Sequence, residues 1–97
     1  MATGICVVAT TGGALPEVTG ADGETVLSCP PGDAEALATT LRRGLDDAEL
    51  RARVGDAGRR RVVERWSWRY CAQLTVDQYR EVLAMPDNQR KLRQAGR

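Results

Sequence analysis

The order of elements predicts an α/β chain in which two short strands precede three helices, the closing portion of such a domain. Two observations carry this. Apolar, β-branched runs at Cys6-Val7-Val8-Ala9 and Thr25-Val26-Leu27-Ser28-Cys29 are short and bounded by Gly, Pro and Asp, as strands buried in a parallel sheet are. From Ala34 onward the apolar residues recur every three or four positions instead, which is the helical period.

Taken in order, residues 6–9 form the first strand and Gly12-Gly13 breaks it. Residues 15–18 make a single helical turn ended by Gly20, and Asp22-Gly23 marks a turn before the second strand at residues 25–29. Pro30-Pro31-Gly32-Asp33 ends that strand, with Asp33 as N-cap of a helix from Ala34 to about Leu45. Leu37, Leu41 and Leu45 are expected to face the sheet. Asp46 and Glu49 have the spacing of a capping box for the next helix, whose buried stripe is Leu50, Val54, Gly58 and Val62. Gly58 weakens an isolated helix by about 1 kcal/mol relative to Ala. Its position on the stripe therefore predicts a close backbone neighbour. Ser67 caps the last helix, with Trp68, Ala72, Val76, Tyr79 and Leu83 on one face and Pro86 as its stop. Residues 86–97 are polar and basic and are expected to be a disordered tail.

Composition sets the bounds. With 97 residues there is room for one small domain, and 42% apolar with 28% charged residues is ordinary for a globular segment. A chain this short buries only roughly 60–65% of its unfolded surface, so its core is small. Histidine is absent, which removes Ser-His and Cys-His dyads. Cys6, Cys29 and Cys71 are scattered with no paired spacing, which argues against a disulfide framework or a zinc site and fits a reducing, cytoplasmic location. No apolar run approaches the ~20 residues of a membrane span. Charge is uneven: residues 1–50 carry eight acids and two bases, residues 51–97 five acids and twelve bases. Arg59-Arg60-Arg61 with Arg65 are the candidate basic patch, but Arg60 and Arg61 point different ways round a helix and no aromatics are interleaved, so a solvated face is favoured over nucleic-acid or acidic-lipid binding.

The ordered pieces Met1-Ala2-Thr3-Gly4, Val7-Val8-Ala9-Thr10, Gly12-Gly13-Ala14-Leu15-Pro16-Glu17, Gly23-Glu24-Thr25, Pro30-Pro31-Gly32-Asp33, Ala57-Gly58-Arg59 and Trp66-Ser67-Trp68 occur together in register. In this order the chain resembles the C-terminal part of a family 4 retaining glycosyltransferase (glycosyl transferases group 1) up to about Leu83. The resemblance implies a partial Rossmann-like C-terminal domain of a GT-B fold over residues 1–85. The activity it implies is transfer of a hexose from a nucleotide-diphosphate sugar to an acceptor with retention. The family's paired glutamates, one against the donor sugar and one on the ribose, lie just before the segment that begins here at Met1. The chain departs from the family at Cys6, where Pro is usual, at Thr3, where a small residue or Cys is usual, and at Trp66, where Phe is common.

Site expectations follow. No residue is assigned a catalytic role, no metal ligand is identified and no cofactor is implied. Thr10, Thr11, Gly12 and Gly13 are the expected donor-cleft lining, because ligands of α/β folds sit beyond the C-terminal ends of strands. The Gly12-Gly13 pair lacks a phosphate-loop spacing, so a tight turn with positive φ is favoured over direct phosphate contact. Glu17 is read as capping loop N–H groups rather than as a catalytic carboxylate. Asp46-Asp47 is read as a helix N-terminus rather than a metal site. Trp66 and Trp68 are read as anchors of the last helix. The implied partners are a nucleotide-sugar donor in the full-length parent and a missing N-terminal domain or a second copy. No nucleic acid and no integral membrane segment are implied. Alone, the chain is expected to be inactive. The alternative is a non-catalytic module that reuses the scaffold and associates through an exposed strand edge at residues 6–9.

Overall fold

The computed structural model describes residues 1–86, 91 and 94–96. Much of the tail expected to be disordered, at 87–90, 92, 93 and 97, lies outside the described residues, but Pro86, Lys91, Gln94 and Ala95, which are described, are helical. Two compact units are present, Met1–Glu64 and Arg65–Arg97. The elements are β1 (Val8–Thr10), α1 (Leu15–Thr19), β2 (Leu27–Cys29), α2 (Ala34–Asp46), α3 (Ala48–Arg65) and α4 (Trp68–Ala84).

In the first unit the strands pair in parallel, Val8 opposite Leu27 and Thr10 opposite Cys29. Both are shorter than their apolar runs, but hydrogen bonds continue past β1. Leu27 N–H donates to the Val7 carbonyl at 2.9 Å and Thr11 N–H to the Cys29 carbonyl at 3.0 Å. Leu27, Leu50 and Val54 form a buried cluster, with Cys6 and Val8 packed against it, and Val26 and Cys29 are buried as well. Each large apolar side chain so buried contributes roughly 1.5–3 kcal/mol. A core this small leaves much of the fold to backbone fit and capping.

That fit is clearest along α3. Leu50, Val54 and Gly58 are buried as their spacing predicts, Val62 at the end of the expected stripe is only half-buried, and Gly55 is buried too. A Cβ at Gly58 would stand 3.1 Å from the Thr25 carbonyl oxygen. A Cβ at Gly55 would overlap the Gly4 carbonyl oxygen outright. The close neighbour expected at Gly58 is therefore present, and Gly55 is the tighter of the two contacts.

The face of α2 toward β2 differs from the expectation. Leu37, Leu41 and Leu45 are 42%, 43% and 72% exposed, while Thr40 and Gly44 are the buried positions. A Cβ at Gly44 would lie 3.1 Å from Leu27 Cδ1. The small side turns inward because it lets the helix approach Leu27. The leucine stripe lies about 100° round the helix, flanking this contact. The Thr40 hydroxyl is satisfied by donating to the Ala36 carbonyl at 2.8 Å.

Caps fix the helix starts. Ala36 N–H donates to Asp33 Oδ1 at 2.9 Å, as expected. For α3 the cap is Asp47, whose Oδ1 accepts from Leu50 N–H at 2.9 Å, so the cap sits one residue later than the Asp46–Glu49 spacing implies. The second unit is built on α4, where Tyr70 N–H donates to Ser67 Oγ at 3.1 Å and Met85 is the C-cap before Pro86. None of the α4 side chains is buried, and Trp68 is 92% exposed.

Two outcomes are expected. Gly55→Ala gains up to about 1 kcal/mol of helix propensity but presses a methyl into backbone. Overpacking costs ~1–3 kcal/mol, and an immovable carbonyl belongs at the top of that range. A net loss of about 1–2 kcal/mol should appear in urea unfolding, with Gly58→Ala losing less; equal stability of G55A and the unsubstituted chain would refute the contact. The second outcome concerns Asp22. Acceptance of the Ser28 N–H, helped by Arg43 and opposed by partial desolvation, holds its carboxyl below the usual value. A depressed folded-state pKa gives stability that is present above the unfolded value and lost as pH falls through the folded one. Acid titration of Asp22→Asn should therefore lack part of the stability loss that the unsubstituted chain shows below about pH 4.

Candidate functional site

Both strands point their C-terminal ends the same way, so the loops that leave them converge. Residues 10–14 leave β1 and residues 30–33 leave β2. Between them and the first turn of α2 lies an open cleft of about 350 Å³. Thr10 contributes one wall, Cys29 and Pro30 the floor of the second loop, and Asp33 and Leu37 the α2 side. The surface is mainly apolar, and among the described residues its single carboxylate, Asp33, is already used as the α2 cap. Among the described residues, no basic side chain lines it.

Of the four expected lining residues, Thr10 borders this cleft directly. Thr11 is not among the residues that line it; its N–H donates to the Cys29 carbonyl at 3.0 Å. Gly12 and Gly13 make the turn that enters α1, with Leu15 N–H donating to the Gly12 carbonyl at 3.2 Å. Gly13 takes φ +56°, the left-handed conformation expected of the pair, whereas Gly12 has no positive φ. A Cβ at Gly12 would meet Thr10 Oγ1 at 3.6 Å and Pro31 at 3.7 Å, ordinary van der Waals contact, so packing does not require glycine at that position.

The loop is anchored from the far side of the unit. Arg61 Nη2 donates to the Glu17 carbonyl at 2.8 Å and Arg61 Nε to the Val18 carbonyl at 3.1 Å. These carbonyls end α1, where helical partners run out. Glu17 thus serves through its main chain, and no side-chain hydrogen bond caps α1 at Ala14. Sequence reasoning missed Arg61 as a loop anchor and missed Cys29, Pro30, Asp33 and Leu37 as cleft residues. The second loop was nonetheless legible, because parallel strands bring both of their exits to one end of the sheet.

A smaller groove at the opposite end of β1 is lined by Cys6, Val8, Leu41, Leu45 and Arg51. Burial pushes the Cys6 thiol up from its ordinary value, with Arg51 and Arg43 opposing, so the reactive thiolate is disfavoured there. All three cysteines are free thiols. Among the described residues no cluster of three metal-ligating side chains occurs, and no helix is long and apolar enough to cross a membrane.

With this geometry established, residues 1–61 match the family model described as Glycosyl transferases group 1. The chain belongs to the glycosyl transferases group 1 family. It is 45% identical over 84 residues to MMP alpha-(1->4)-mannosyltransferase of Mycolicibacterium hassiacum, a match spanning 87% of this chain and 20% of that protein. It is 37% identical over 90 residues to alpha-maltose-1-phosphate synthase of Mycobacterium tuberculosis, covering 87% of this chain and 23% of the relative. Among solved structures, sucrose-phosphate synthase from Thermosynechococcus elongatus superposes with a TM-score of 0.73 at 35% identity, over 86% of this chain and 21% of that one. The chain thus spans about a fifth of the length of the curated relatives it matches. Two parallel strands followed by helices are the α/β portion of a GT-B fold that the resemblance implied.

Arg61→Ala should leave the core intact but free the end of α1. Hydrogen exchange at the Gly20 amide, which bonds the Pro16 carbonyl at 2.9 Å, is expected to accelerate about tenfold, the effect of ~1.4 kcal/mol. Unchanged exchange there would show that Arg61 does not hold the loop.

Proposed function

We propose that this chain is a part of the nucleotide-sugar-binding half of a family 4 retaining glycosyltransferase. The whole protein would move a hexose from a nucleotide-diphosphate sugar to an acceptor with retention of configuration. Its likeness to a mannosyltransferase at 45% identity is the observation that carries the reading. The convergence of two loops at the strand ends supports it, since that end of an α/β sheet is where ligands bind. In this reading residues 1–85 belong to the domain portion, and the whole protein works in the cytoplasm.

In this reading the chain supplies one wall of the donor cleft through Thr10, Thr11, Gly12 and Gly13. It does not by itself carry out transfer. The chemistry of such a reaction rests on orienting the donor and stabilising the departing diphosphate electrostatically. The described cleft offers hydroxyl and apolar surface, with no basic side chain to meet the diphosphate charge. Donor placement therefore depends on groups outside these residues.

The test is a titration of the chain with nucleoside diphosphate hexoses, read by calorimetry and by amide NMR. Binding is expected to be weaker than roughly 10 μM, about −7 kcal/mol, with no sugar transfer. At millimolar donor, shifts should concentrate on the amides of residues 10–13. Tight binding or turnover would sink the view that the wall is incomplete, and shifts confined elsewhere would sink the cleft assignment.

A further inference from the structure

The two outer edges of the sheet are unlike. Leu27 and Cys29 exchange bonds with β1, so Val26 and Ser28 present their main-chain groups outward. Two of those groups, the Val26 carbonyl and the Ser28 N–H, are occupied by the loop that precedes the strand. Gly23 N–H donates to the Val26 carbonyl at 2.8 Å, and Ser28 N–H donates to Asp22 Oδ1 at 2.8 Å. Asp22 also bridges Val26 in parallel fashion, and Arg43 Nη1, reaching from α2, lies 3.3 Å from each of its carboxylate oxygens. On β1 the outward positions are Val8 and Thr10, and the sheet has no further strand beside them among the described residues.

We propose that Asp22 is an edge guard: its carboxylate takes the Ser28 N–H that an added strand would need, and so keeps β2 the terminal strand of its sheet. An uncovered strand edge is a template for pairing with another chain, and proteins block such edges with charge and irregular backbone. Asp22 supplies both. It puts a charged acceptor where the partner's carbonyl would come, and the Asp22-Gly23 turn folds the chain back over the next position. Arg43 holds the carboxylate in place. Since both side chains are about half exposed, the pair adds little stability as an ion pair. Its value here is positional.

The competing account is that Asp22 only shapes a local turn, in which case its removal costs stability without changing association. Sedimentation velocity over a concentration series distinguishes the two in the full chain. Asp22→Ala is expected to self-associate about tenfold more tightly than the unsubstituted chain, equivalent to ~1.4 kcal/mol. Asp22→Asn keeps an acceptor oxygen and should behave as the unsubstituted chain does. Adding Ser28→Pro to Asp22→Ala removes the edge donor, at a position an edge strand tolerates, and should reverse the association. If D22A associates no more than the unsubstituted chain, or if S28P fails to reverse it, the proposal is overturned. Should D22A not fold, hydrogen exchange in the unsubstituted chain decides: the Ser28 amide should be protected within about tenfold of the Leu27 amide. Exchange of Ser28 at the rate of an open amide would overturn the guard equally.

Discussion

The fold depends on how closely α3 lies against the segments before each strand. Gly55 rests on the Gly4 carbonyl and Gly58 on the Thr25 carbonyl, so one helix touches the approach to both β1 and β2. Only with the backbones this near do Leu50 and Val54 reach Leu27 and close the core. The glycines cost helix propensity, and the core they permit is worth more. Gly44 lets α2 approach in a similar way, against the Leu27 side chain rather than a backbone carbonyl. The two longest helices of the first unit therefore meet the sheet through missing side chains as much as through apolar ones.

The uneven charge of the chain finds its explanation in the same helix. Arginines of α3 donate to carbonyls in three separate segments: Arg51 to Gly44 and Leu45, Arg59 to Ala2, and Arg61 to Glu17 and Val18. The first and last of these segments are helix C-terminal ends, where a positive charge meets the negative end of the helix dipole and unpaired carbonyls together. A guanidinium suits the role because one planar group can serve two acceptors. The basic second half is thus partly an internal fastening for the acidic first half. Arg59 and Arg61, two of the cluster that invites a nucleic-acid reading, are already engaged within the chain.

Much of this was legible in the sequence, and the exceptions share a cause. Strands, turns and the caps at Asp33 and Ser67 follow from local chemistry, so residue type and spacing suffice to find them. The family was legible too, because its pieces lie in register along most of the chain. The inward face of α2 was not: leucine spacing identifies an amphipathic helix, but depth of approach is decided by Gly44 and the shape of Leu27 opposite. The importance of Gly55 over Gly58 was hidden for the same reason, since it rests on a carbonyl fifty-one positions earlier. The displacement of the cap from Asp46 to Asp47 is a one-residue matter that two adjacent aspartates leave open. At the site, Thr10 and the Gly13 turn were found from the first loop, while Cys29, Pro30, Asp33 and Leu37 required knowing that the second loop arrives beside it.

The sheet thus has two kinds of boundary, and they divide the work. Along the outer edge of β2 the Val26 carbonyl and the Ser28 N–H are taken by the preceding loop, which leaves that side less to offer a partner. At the C-terminal ends the loops turn away, leaving a hydroxyl, backbone and apolar surface around an open cleft. The one acid there, Asp33, is held on the α2 N-terminus, where it both satisfies a helix N–H and offsets the positive end of the dipole. A helix N-terminus of this kind is a natural anion site when vacant. With a carboxylate already seated, a diphosphate brought to the same point would meet like charge. In the proposed transferase the cleft wall therefore suits an uncharged part of the ligands, and the cations that stabilise the leaving diphosphate must approach from another direction.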